Sequence, residues 1–136
     1  MATPSIDRTK VCYIMLRARE FDAQEGVVEP EYGSNATDDG VVQVLEAYED
    51  DPTFEELRDA IDGLNWDEQC ALVALTWVGR GDHDAEDWDD ALALAEQQHT
   101  EHTAAYLIGI PLLSDYIEGG LAAFGMSCED VELDRL

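Results

Sequence analysis

Asn65-Trp66-Asp67-Glu68-Gln69-Cys70-Ala71-Leu72-Val73-Ala74-Leu75-Thr76-Trp77-Val78-Gly79-Arg80-Gly81 is the stretch on which the reading of this chain turns. Asn65 is placed to accept a hydrogen bond from an unpaired N–H of the first turn. Glu68, three residues on, can reach back to Asn65, which is the reciprocal pattern of a capping box. Asp67 and Glu68 also suit the positive end of a helix dipole. From Cys70 to Gly79 no residue is charged and only Thr76 is polar. A helix here is therefore apolar on every face and has to be wrapped by its neighbours. About 10 apolar residues fall short of the roughly 20 that span a bilayer, and Gly79 and Gly81 supply the stop. The stretch predicts a buried central helix over about residues 66–79.

On the N-terminal side, Phe54, Leu57, Ala60, Ile61 and Leu64 recur at helical spacing, and Thr53 with Glu56 reads as a second capping box. Only Asn65 separates this helix from the central one, so a corner or hairpin is expected, with helix 54–64 lying against the buried helix. Further upstream, Ser5 is placed to cap a first helix running to about residue 23, with Ile6, Cys12, Ile14, Met15, Ala18 and Phe21 as its apolar positions. It is expected to pack on the central helix. Residues 25–39, with Gly26, Pro30 and Gly33, read as an irregular connector. A short helix over about 39–48 comes next, with Val41, Val44, Leu45 and Tyr48 on one face.

On the C-terminal side, Asp82 and Asp84 offer N-caps for a helix whose stripe of Trp88, Ala91, Leu92 and Ala95 continues through His99, His102 and Tyr106. These fall within about 40° of Trp88 at 100° per residue, so one long helix over about 85–108 is expected. If it stops early, Thr100 or Thr103 would cap a restart. Gly109, Ile110 and Pro111 break the chain, since proline lacks the N–H and crowds the carbonyl four residues back. Pro111 then opens a helix to about residue 124, with Gly125 as its stop. Gly119 and Gly120 inside it cost about 1 kcal/mol each relative to alanine, which a close backbone approach by a neighbouring helix would offset. Residues 126–136 form a short acidic tail. The pattern as a whole predicts a single all-α domain over 1–136, a compact bundle of five to seven helices around the central one.

The composition is consistent with a globular chain: 136 residues, 46% hydrophobic, net charge -25. Charge is segregated. Residues 1–24 hold Arg8, Lys10, Arg17 and Arg19 against three acids, whereas residues 25–136 hold 29 acids against Arg58, Arg80 and Arg135. Like-charge repulsion argues against direct binding to nucleic acid or to an anionic membrane, and it favours cations, basic proteins or plain solubility. Cys12, Cys70 and Cys128 are odd in number and far apart, with no Cys-x-x-Cys pair. Each lies in or beside an apolar stretch, so reduced thiols in a reducing cytoplasm are expected. The short, polar start at residues 1–5 does not read as a signal peptide.

Val73-Ala74-Leu75, Trp77 and Gly79-Arg80-Gly81-Asp82 form one group of residues with a wider likeness. Ala105-Tyr106-Leu107, Gly109, Pro111-Leu112-Leu113, Asp115-Tyr116, Glu118 and Gly120-Leu121 form a second. At these positions the chain resembles a bacterial family of short proteins known only as a domain of unknown function, over most of residues 38–125. The resemblance implies a small all-α bacterial protein and supplies no activity, substrate or catalytic residue.

The most specific chemical candidate is Glu96-x-x-His99-x-x-His102, followed by Tyr106. A di-iron bundle needs a second Glu-x-x-His and two further glutamates from other helices, and the sequence has no second copy. A mononuclear site for a divalent transition metal, using His99, His102 and Glu96, is the remaining metal reading; against it stands a pair of histidines at the end of the core, bonded to nearby acids or to Tyr106. Asp82-His83-Asp84-Ala85-Glu86-Asp87 lacks the glycine and the glutamate of an EF-hand loop and reads as helix-capping acids. Arg80 is expected to pair with Asp82, Asp84 or Asp87. No Gly-x-Ser-x-Gly elbow, glycine-rich phosphate loop or sequence-adjacent Cys/His pair supports catalysis. Trp66, Trp77 and Trp88, spaced by eleven, read as core packing. The expected function is thus an acidic protein-interaction or regulatory module, with a protein partner or a homodimer through apolar helical faces. A metal-binding protein or metal-dependent enzyme is the alternative, and a nucleic-acid mimic that binds a basic protein is the third. No cofactor is expected, a divalent transition metal belonging only to the alternative reading.

Overall fold

The structure, a computed structural model, describes residues 4, 6–25 and 51–129. Among these residues it is all helical: α1 (Arg8–Glu25), α2 (Pro52–Asp62), α3 (Trp66–Arg80), a short 3-10 turn (Ala85–Asp87), α4 (Trp88–Gln98), α5 (Thr103–Ile108) and α6 (Leu113–Ala123). The helix expected over 39–48 and the acid-rich end of the tail lie outside the described residues. No helix among the described residues is long and apolar enough to cross a membrane.

The central helix forms as the sequence dictates. Asn65 Oδ1 accepts from the Glu68 N–H at 2.8 Å, and Glu68 Oε1 accepts from the Asn65 N–H at 3.1 Å. Every residue from Cys70 to Val78 is buried. The single hydroxyl in that run is satisfied within the helix, with Thr76 Oγ1 donating to Leu72 O at 2.9 Å. Gly81 closes α3 at φ 95°, where only glycine sits without strain, and the N–H groups of Gly81 and Asp82 return to Val78 and Trp77.

The shell differs from expectation in which helices do the wrapping. The closest partner of α3 is α6, then α4; α1 packs on α6 and α2, and α2 packs on α1 and α5. The junction at residues 63–65 is thus a corner that carries α2 away from α3 rather than a hairpin that folds it back. Lys10 of α1 pairs with Glu68 of the central helix at 3.1 Å, while Arg19 reaches Glu118 of α6 at 3.4 Å. With Arg17 3.8 Å from Glu56 of α2, the non-acidic helix brings its cations to three neighbours. The cap of α2 is also shifted: Asp51 accepts from Thr53 N at 2.9 Å, and Pro52 takes the first helical position. Proline has no N–H to lose there, and its fixed φ suits a helix start. Ser5 lies outside the described residues, and Asp7 Oδ1 accepts from Thr9 N at the start of α1.

The α3–α6 contact explains two glycines that face each other across the crossing. A Cβ on Gly79 would collide with the backbone of Tyr116 and come within 2.7 Å of Gly120 N; one on Gly120 would collide with Leu75 O. The two backbones touch. Dispersion over the whole crossing then offsets the propensity cost of Gly120.

Helix boundaries and cysteine pairing both differ from expectation. The helix expected over 85–108 is broken: after a 3-10 turn, α4 ends at Gln98, His99 is extended at ψ 133°, and α5 restarts at Thr103. Thr100 is the cause. Its Oγ1 accepts from His102 N at 3.0 Å while its carbonyl accepts from Thr103 Oγ1 at 3.0 Å, so threonine side chains compete with the helical ladder. Thr100 thereby serves the restart. The next helix begins at Leu113 rather than Pro111, because Leu112 lies in the left-handed region at φ 62°. The second correction concerns the cysteines. Cys12 and Cys128 form a disulfide across 116 residues, and only Cys70 is a free, buried thiol. Sequence distance concealed that α6 lies along α1, which carries the segment after α6 back to Cys12.

Candidate functional site

The polar and aromatic residues that could do chemistry gather along one seam, where α3 faces the α4–α5 break. Trp66, Gln69, Val73 and Trp77 share a stripe of α3, since three, seven and eleven residues each complete nearly whole turns. Facing them are His99, Thr103 and Tyr106.

Gln69 is the clasp of this seam. Its Nε2 donates to Ile61 O at 3.1 Å and more weakly to Leu64 O at 3.4 Å, one carbonyl in the last turn of α2 and one in the corner beyond it. Its Oε1 is thereby turned toward His99 Nε2, at 2.7 Å. An amide oxygen only accepts, so His99 Nε2 carries the proton, and Nδ1 is the ring nitrogen left for any ligand. The Trp66 ring lies 5.8 Å from the His99 ring at 56°. Deeper in, Trp77 Nε1 donates to Tyr106 Oη at 3.0 Å. Between them is a cavity of about 20 Å³ lined by Val73, Trp77, His99, Thr103 and Tyr106, room for one water molecule. At the outer end Arg80 Nε donates to Asp82 Oδ2 at 2.8 Å, the expected ion pair, and the His83 ring lies 5.9 Å from Trp77.

The three sequence-predicted ligands do not converge. The break at 99–102 turns His99 inward to Gln69, whereas His102 lies outside with Glu101 at 3.6 Å. Glu96 is exposed on α4, and its charge reaches Cys70: burial first, then Glu96, pushes the Cys70 thiol up to about 11. Among the described residues no group of three His, Cys, Asp or Glu side chains is placed to hold one metal ion. Near neutrality that leaves Cys70 a buried, protonated thiol.

Sequence reasoning missed two members of the seam. Gln69 carried no signal, because its role is to bond the backbone carbonyls of Ile61 and Leu64 on the preceding helix and corner. Trp66 was expected in the core, yet it is 46% exposed, while Trp77 and Trp88 are buried. Its position at the first residue of α3, before the apolar run begins, was the available clue. A second concavity, of about 270 Å³, lies between α1 and α2 beside Lys10, Tyr13, Ile14 and Leu64.

The family described as "Protein of unknown function (DUF3775)" matches residues 54–126, a span that contains the whole seam. No curated protein and no solved structure matches the chain.

Proposed function

The chain belongs to the DUF3775 family of proteins of unknown function, and from that premise we propose that it is an acidic interaction module whose partner is a basic protein segment. Trp66 carries this reading. It is the one large apolar side chain left exposed among the described residues. Tryptophan is the residue type that most often anchors protein interfaces, because it buries much area for little lost side-chain freedom. Its setting selects the partner. Asp62 and Asp67 flank Trp66 in sequence, Glu96 and Glu101 flank His99, and all four are exposed. Lysine or arginine arriving at such a rim gains charge attraction, and a cation over the indole face adds roughly 0.5–1 kcal/mol.

The test is co-purification from the native host at about 0.15 M salt, where only contacts within about 8 Å escape screening. A basic protein retained by the wild-type chain and lost with Trp66→Ala is the expected result. Equal retention by the variant would remove this surface, and recovery of no basic protein would remove the reading. Native mass spectrometry of untagged protein separates the other readings: a stoichiometric transition ion would support a metal-binding protein, and a doubled mass would support a homodimer.

A further inference from the structure

The disulfide offers a device independent of the Trp66 surface. We propose that Cys12–Cys128 is a reversible redox latch, which holds the segment after α6 on α1 and releases it, with the helices intact, on reaction with a dithiol.

Three observations converge on one boundary. The first is how α6 ends. Gly125 stands at φ 73°, its N–H returns to Ala122 O, and the N–H of Met126 returns to Leu121 O at 2.8 Å. This closing motif satisfies the helix end without help from residues beyond Met126. The second is how those later residues are held. Among the described residues beyond Met126 the hydrogen bond from Glu129 N to Ser127 Oγ, at 3.3 Å, is local. The crossing is made by packing and by the disulfide, with 5.7 Å between the Cα atoms. The third is the family match, which spans residues 54–126. Both Cys12 and Cys128 lie outside it, so the bond joins two segments beyond the matched span. Apart from the latch, α1 is held on α6 and α2 by its own buried face, Val11, Ile14, Met15, Ala18 and Phe21.

The chemistry is thiol exchange. One thiolate of the dithiol attacks Cys128 Sγ, since Cys128 is half-buried and Cys12 fully buried. Cys12 leaves as a thiolate and takes a proton, favoured by its apolar surroundings. The second thiol of the reagent then attacks the mixed disulfide and releases Cys128. Two electrons and two protons pass to the protein, and the dithiol becomes a cyclic disulfide. Oxidation by a disulfide of the same class runs these steps backward and recloses the latch.

The experiment equilibrates the full chain at 25 °C in buffers of reduced and oxidised dithiothreitol, quenches with N-ethylmaleimide, and reads intact mass, far-ultraviolet circular dichroism and amide exchange. The expected result is a reversible gain of two adducts, with Cys70 unmodified and helix signal unchanged. Protection is lost at the face of α1 around Cys12, while α3 keeps its protection. Cys128→Ser is expected to show the open exchange pattern with or without reductant. The proposal falls if oxidised buffer leaves both thiols open to the reagent, if reduction removes the helix signal at 25 °C, or if exchange around Cys12 does not change.

Discussion

Gly119 and Gly120 are adjacent on one helix, and the structure gives them different fates. A Cβ at Gly119 would meet Gly79 O at 3.4 Å, an ordinary contact, whereas one at Gly120 would strike Leu75 O and sit 2.9 Å from Leu75 Cγ. Gly120→Ala is therefore expected to destabilise by about 1–3 kcal/mol through overpacking. In Gly119→Ala, by contrast, the gain in helix propensity of about 1 kcal/mol offsets a slight tightening. Paired urea melts check this difference. Two carboxylates should bend the pH profile in opposite senses. The Asn65 N–H, then Lys10, holds the Glu68 carboxyl below the usual glutamate value, so its contribution is present above the unfolded value and is lost as pH falls through the folded one. Glu68→Gln keeps an acceptor and should flatten that acid loss, at about 0.5–1 kcal/mol near neutrality. Burial raises the Asp22 carboxyl despite its bonds from Ser114. Its contribution is full below the unfolded value and lost as pH rises through the folded one, so Asp22→Asn should remove that decline.

At the scale of elements, the decisive contest is at residues 99–102, where a periodic pattern and local threonine bonding disagree. The stripe from Trp88 to Tyr106 was sound as far as Ala95, and Trp88, Ala91 and Ala95 are buried as it requires. It failed beyond Gln98 because hydrophobic spacing registers which side a residue faces and is blind to a hydroxyl that offers the backbone another partner. Thr100→Ala removes the acceptor for His102 N, and a rise in helical signal with loss of the Gln69–His99 bond is the expected outcome. Imidazole and amide NMR resonances would report it. The same contrast runs through the rest of the chain. The Asn65–Glu68 box, the Gly81 stop and the burial of residues 70–78 were legible because each depends on neighbours a few positions away. The Gln69 clasp and the α1–α6 packing depend on partners that the spacing of one segment cannot name. For the site, Tyr106 and His99 could be read from the sequence as core-edge groups, whereas Trp66 as an exposed anchor could not, since indole is expected inside.

For the whole molecule the governing quantity is a net charge of -25 on 136 residues. Self-repulsion of that size destabilises any compact state, and salt screens it. The melting temperature should rise as salt shortens the screening length from about 30 Å at 0.01 M to about 3 Å at 1 M. A fall or no change on such a titration would mean that the ion pairs made by α1, such as Lys10–Glu68 and Arg19–Glu118, outweigh the repulsion. The disulfide acts at the same scale, because it closes a loop of 116 residues. The chain-entropy relation assigns such a loop up to about 5 kcal/mol, so reduction should lower the melting temperature by about 10–20 °C while leaving the protein folded at room temperature.

That link also decides how the chain yields to traction. Cys12 and Cys128 bound nearly all of the described helices, so a pull applied at the two termini loads a covalent bond while the helices between feel no tension. A translocating unfoldase that seizes either end would have to admit two strands side by side. Once the sulfurs part, the same machine meets a single thread.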